Sequence, residues 1–215
     1  AGFAHLFEHL MFGATRGATE REYDDLIHRH GGYANAYTAA DETVYISEIT
    51  PAQHPQVLQL EAKRMTDLLL TQEGLDRERR IVIEEQRLRF ENNPALRIGV
   101  KALRLLLTTH PYNRVGTDAT LANVTLEEAR RFYARYYRPQ NAHLIIVGPV
   151  DGPATMALVS GSSAVLEEGV STPRRMGRLM VVGRGCGGGE GLSLHLRRRR
   201  RSDHRHFGQN CRHWC

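Results

Sequence analysis

Gly2-Phe3-Ala4-His5-Leu6-Phe7-Glu8-His9-Leu10-Met11-Phe12 is the stretch whose reading decides this chain. Its apolar residues recur at helical spacing and Gly13 stands where the pattern ends, so residues 3–12 predict a helix. His5 and His9 lie one turn apart and project from one face, with Glu8 on the same side. Two imidazoles and a carboxylate so placed suit a zinc ion. The alternative is a helix with two exposed histidines and a surface glutamate. Against it stands the setting: Phe3, Leu6, Phe7, Leu10, Met11 and Phe12 surround the polar groups, and burying them unpaired would be costly.

A catalytic zinc site needs a third protein ligand and an open position for water. A second helix can supply that ligand. Residues 73–92 form a long charged segment with Glu73, Glu78, Glu84, Glu85 and Glu91. Glu78 and Glu85 are two turns apart and share a face. One carboxylate could bind the metal and the other could orient a ligand histidine through its second ring nitrogen.

Further out, Thr19-Glu20-Arg21-Glu22 is a capping box that opens a helix running to about His30, stopped by Gly31-Gly32. Tyr33–Thr38 and Thr43–Thr50 read as two strands of a hairpin. A helix begins near Pro51 or Pro55, with Val57, Leu58, Leu60, Met65 and Leu68 as its expected buried stripe. Pro94 starts a helix through Leu107, and His110-Pro111-Tyr112 reads as a loop. Thr125–Glu128 is a second capping box, whose helix ends near Arg138-Pro139. His143–Val147 is a short apolar strand. Helices interleaved with a hairpin predict an α+β class with a largely antiparallel sheet.

The spaced motifs together resemble the insulinase/pitrilysin family, the M16 inverzincins, whose active-site helix carries an inverted His-x-x-Glu-His. The likeness extends through Asn35-Ala36-Tyr37-Thr38, Glu61–Met65, Glu78–Glu85, His110-Pro111-Tyr112 and Tyr137–Ala142, and covers residues 1 to about 159. The step of 76 from His9 to Glu85 fits the family spacing and selects Glu85 over Glu84. The resemblance implies one Zn²⁺ per chain, held by His5, His9 and Glu85. It implies Glu8 as general base and Glu78 as the carboxylate behind a ligand histidine. Asn35 and Ala36 resemble edge-strand positions that receive a peptide or unfolded polypeptide substrate as an added strand. Family chains carry strands upstream of the metal helix and a second M16-type domain or subunit. Residues 1–159 therefore read as a partial catalytic domain of a zinc endopeptidase. A non-catalytic assembly subunit is the competing family role, but such subunits lack part of the metal motif that is whole here.

The net charge of +5 is uneven. Residues 151–215 hold 11 Arg against 5 acidic side chains, while residues 1–150 are nearly balanced. That balance argues against nucleic-acid binding by the folded part, and leaves only Arg197–Arg201 as a route to it. His204, His206, Cys211, His213 and Cys215 are a weak second metal candidate. No run of eighteen apolar residues predicts a membrane span. From 160 to 215 glycine and arginine dominate. The sequence reads there as disordered, with a composition that fits translation out of frame.

Overall fold

The computed structural model describes residues 2–108, 121–138, 141–167, 180–183 and 192–199. The His110-Pro111-Tyr112 loop, Pro139-Gln140 and the His/Cys candidates of the last twelve residues lie outside them.

Helix α1 spans Gly2–Leu10, α2 Glu20–His28, α3 His54–Thr66, α4 Gln72–Glu91, α5 Pro94–Leu106, α6 Leu126–Tyr136 and α7 Gly152–Glu167. Strands are β1 Tyr33–Thr38, β2 Glu42–Ile49, β3 Ala142–Gly148, β4 Met180–Gly183 and β5 Leu192–Arg199. Local chemistry sets many of these bounds. Both capping boxes form, with Thr19 and Glu22 at α2 and Thr125 and Glu128 at α6 satisfying first-turn donors reciprocally. Thr71 caps α4 by accepting from Gly74 N–H, and Asn93 caps α5 ahead of Pro94. After α2 the chain reverses through Gly31 at φ 75°. A Cβ on Gly32 would meet the carbonyl oxygens of Ile27 and Glu48 at 2.7 Å, so only glycine fits where β1 begins.

The sheet has the order β1-β2-β5-β3-β4. β1 and β2 form the expected hairpin, from Tyr33 opposite Glu48 to Thr38 opposite Thr43. β5 pairs antiparallel with β2 and β3, and β4 lies parallel to β3. The class is therefore α+β with a mostly antiparallel sheet.

Two apolar clusters hold the layers together. One joins Leu6, Phe7, Leu10 and Met11 of α1 to Leu75 and Val82 of α4, Tyr45 of β2, and Ala129 and Tyr137 at α6. The other joins Tyr23 and Ile27 of α2, Val57 and Leu58 of α3, Ile49 and Ile146. The buried face of α3 departs from expectation. Val57 and Leu58 are buried, but Glu61 and Arg64 complete the stripe in place of Leu60 and Met65. Arg64 donates to Glu61 Oε1 at 2.9 Å, to the Tyr23 hydroxyl at 3.1 Å and to the Met11 carbonyl at 2.7 Å. Its guanidinium lies over the Phe12, Tyr23 and Tyr45 rings, 4.7 to 5.3 Å from their centroids. A charge can be buried there because it is paired, bonded and enclosed by π-faces.

After residue 160 the described residues are those of α7, β4 and β5. α7 continues to Glu167, and β4 and β5 join the sheet. The local signal within β5 is the alternation of Leu192, Leu194 and Leu196 with Ser193 and His195, a two-residue strand period. The open side of β2 gives that strand its partner.

Two outcomes follow from this packing. Arg64→Leu should lower unfolding free energy by about 3–5 kcal/mol in denaturant titration, because Glu61 would be left buried without its cation. Replacing Glu61 and Arg64 together by apolar residues should cost much less. In hydrogen exchange, the amides of Leu192–Arg199 should be protected on the scale of β2; free-peptide rates would return β2 to the sheet edge.

Candidate metal centre

α1 and α4 pack against each other through Leu6, Phe7 and Leu10 on one side and Leu75 and Val82 on the other. The polar faces of the same two helices meet beside this apolar seam. His5 Nε2 lies 3.5 Å from Glu85 Oε2, and His9 Nε2 lies 3.5 Å from the same oxygen. The His5 and His9 rings stand edge to face at 89°, their centroids 5.0 Å apart. One atom from each of His5, His9 and Glu85 can be chosen so that all lie within 4.8 Å of one another, and these three are the metal-competent group among the described residues.

The electrostatics suit a cation. Burial lowers the His5 pKa, and the nearby Glu85 and Glu8 carboxylates oppose that only in part. The neutral imidazole that can ligate a metal is thereby favoured. His9 is raised, first by its hydrogen bond to Glu78. Its Nδ1 lies 3.4 Å from Glu78 Oε2, so an Nδ1–H donated there leaves the Nε2 lone pair facing Glu85. Burial pushes Glu78 up, but hydrogen bonds from His9 and from Arg77 outweigh it and bring its pKa down. Three lone-pair atoms around one point, two nitrogens and one oxygen, form a donor set that fits zinc.

Other side chains steady this arrangement, and their roles were not read from the sequence. Arg89, one turn after Glu85, donates to its Oε1 at 2.7 Å and leaves Oε2 toward the histidines. Arg77 donates to Glu78 Oε1 at 2.8 Å and to Glu20 of α2 at 2.8 Å. The Glu85–Arg89 spacing of four was a legible helix-pair signal. Arg77 could not be anticipated, because Glu20 lies 57 residues away.

Glu8 is buried on α1, and its Oε2 accepts from the Thr38 hydroxyl at 2.5 Å. Glu84, the rejected neighbour of Glu85, is half exposed and pairs with Arg87. Asn35 and Ala36 sit on β1, the strand that ends at Thr38. β1 is the outer strand of the described sheet. Ala39 N–H donates to Glu42, and with the hairpin register this turns the backbone groups of Ala34, Ala36 and Thr38 to the open side. Ala36 N–H donates there to its neighbour's Asn35 Oδ1 at 2.9 Å.

An α+β domain with two imidazoles and a carboxylate converging between two helices has the make-up of a metallohydrolase half, and the comparisons narrow it. Residues 1–113 match the family model described as Insulinase (Peptidase family M16), and residues 123–172 match Peptidase M16 inactive domain. The chain belongs to the M16 family. It is 34% identical over 163 residues to the zinc protease PqqE of Helicobacter pylori, covering 74% of this chain and 36% of that one. A protease structure from Helicobacter pylori aligns with TM-score 0.68 at 28% identity, covering 83% of this chain and 43% of the other. The first half of the periplasmic protease PqqL from Escherichia coli aligns with TM-score 0.64 at 28% identity, over 81% of this chain and 39% of that half. This chain thus spans well under half the length of these relatives. No helix among the described residues is long and apolar enough to cross a membrane.

Proposed function

We propose that this chain carries the zinc centre of an M16 endopeptidase, with His5, His9 and Glu85 as ligands for one Zn²⁺. The observation that carries the reading is the meeting of His5 Nε2, His9 Nε2 and Glu85 Oε2 at one point between α1 and α4. Zinc held there supplies a Lewis acid that makes a water molecule acidic enough to ionise near neutral pH. Glu8 is the general base. It takes a proton from the attacking water and returns it to the leaving amine. Glu78 holds His9 in the ligating tautomer, and Arg77 holds Glu78.

The substrate in this proposal is a peptide or unfolded polypeptide. It adds as a strand at the open edge of β1, where Asn35 and Ala36 lie. Its carbonyl would take the Ala36 N–H in place of Asn35 Oδ1. Backbone pairing of that kind is indifferent to sequence. A second M16-type domain or subunit is the proposed partner. Its support is the length of the relatives, of which this chain covers 43% or less.

Metal analysis and zinc titration of the chain test the ligand set. Wild type should hold one zinc, and His5→Ala and Glu85→Gln should lose it. Full occupancy in Glu85→Gln would remove Glu85 from the site. Glu78→Gln should bind zinc about 10–100-fold more weakly. Glu8→Gln should keep zinc yet lose peptide hydrolysis in the assembly with its second domain, and substantial remaining turnover there would take the base role from Glu8.

A further inference from the structure

The hairpin that presents the open strand edge also touches Glu8. Thr38 is the last residue of β1, and its register partner Thr43 lies near the start of β2. Thr43 is 1% exposed, among the most buried polar side chains described. The Thr38 and Thr43 hydroxyl oxygens are 3.2 Å apart, and Thr38 Oγ1 is 2.5 Å from Glu8 Oε2.

A hydroxyl has one proton to give. An ionised carboxylate only accepts, so Thr38 must donate to Glu8. It can then only accept from Thr43. The direction of the chain is therefore set: Thr43 to Thr38 to Glu8 Oε2. We infer that Thr38, backed by Thr43, is the positioning residue for Glu8, fixing one carboxylate oxygen so that the other faces the reacting water. The inference rests on the general-base reading of Glu8.

Three considerations support it. Among the described residues, Thr38 is the hydrogen-bond donor to Glu8, and Oε1 has none. The two oxygens are thereby made different. Oε2 is held by the sheet, and Oε1 is left for a water. The donation also survives the proton transfer, because a carboxylic acid protonated at Oε1 still accepts at Oε2. A group that must hold the base in both protonation states should be a donor that never titrates, which a threonine hydroxyl is. Finally, the hydroxyl belongs to the strand whose outer edge would receive substrate. Peptide added to β1 and the carboxylate acting on it would share one rigid reference, the Thr38 backbone, and reaction geometry is sensitive to errors of about 1 Å.

Valine has the shape of threonine and favours strands, so Thr38→Val removes the hydroxyl with little disturbance. The probe is a peptide hydroxamate, which binds zinc through its oxygens and gives its proton to a neighbouring carboxylate. Zinc affinity and hydroxamate affinity are measured on the zinc-loaded chain. Thr38→Val should leave zinc affinity unchanged and weaken the hydroxamate about tenfold, the scale of a lost charge-assisted hydrogen bond. Thr38→Ser should restore it, and Thr43→Val should show a smaller loss. In a Glu8→Gln background, Thr38→Val should cost nothing more, because the two act through one atom. Wild-type hydroxamate affinity in Thr38→Val, or a full additional loss in the double variant, overturns the positioning role and leaves the zinc centre standing. A lowered zinc affinity in Thr38→Val that Ser fails to rescue also overturns it, since that marks general damage to the fold. If the wild-type chain binds no zinc, the functional reading fails first and this inference with it.

Discussion

Two imidazole nitrogens and a carboxylate oxygen held near one point form the constraint on which the rest of the molecule depends. In the metal-ligating tautomers their lone pairs face one another, with no hydrogen among them to bridge the pair. The arrangement persists because α1 and α4 are locked by forces that act elsewhere. Leu6, Phe7 and Leu10 are buried against Leu75 and Val82, and each such side chain contributes about 1.5–3 kcal/mol of burial. The apolar seam sets the distance between the helices, and the polar face takes whatever geometry that distance imposes.

A seam alone would let α1 slide or rotate, and the structure removes those freedoms one at a time. Phe7 packs on the Phe132 and Tyr137 rings, with centroids 5.1 and 4.7 Å away, so α6 holds the far side of α1. Arg64 grips the other end through the Met11 carbonyl, one of the acceptors that a helix end leaves open. The Arg64 carbonyl in turn accepts from Tyr133 of α6 at 2.7 Å. These contacts join residues of the two matched segments, 1–113 and 123–172, in one core. α1 is thus braced by a part of the chain that carries none of the proposed ligands.

Much of this was legible in sequence, because local rules governed it. Both capping boxes, the hairpin and the long charged helix appeared within a residue or two of their expected positions. The i, i+4 histidines pointed to one face, and the two-turn spacing of Glu78 and Glu85 put both beside those histidines. What sequence did not show was chosen by neighbours distant in the chain. Glu61 and Arg64 occupy buried stripe positions because Tyr23 and the Met11 carbonyl stand opposite to satisfy them, 38 to 53 residues away. No helical period could announce that, since the period marks only which positions are inside. β5 was passed over for a different reason. Its alternating leucines are flanked by glycine and arginine runs that dominate the composition, although the period itself is local and readable.

Thr38 shows how these levels meet. It was visible as the last residue of a strand motif, without a role of its own. Its partner Glu8 is 30 residues away, on a helix oriented by Arg64 and by the aromatic cluster. β1 enters beside the Ile27 and Glu48 carbonyls because Gly32 has no Cβ, which would meet both oxygens at 2.7 Å. From Gly32 the strand runs to Thr38 in a fixed register against β2. A shift of one residue would carry Thr38 to the other face and leave Glu8 with no donor from the sheet. The pairing that makes β1 a possible docking edge is therefore the same pairing that aims Thr38 at Glu8, and neither property can change without the other.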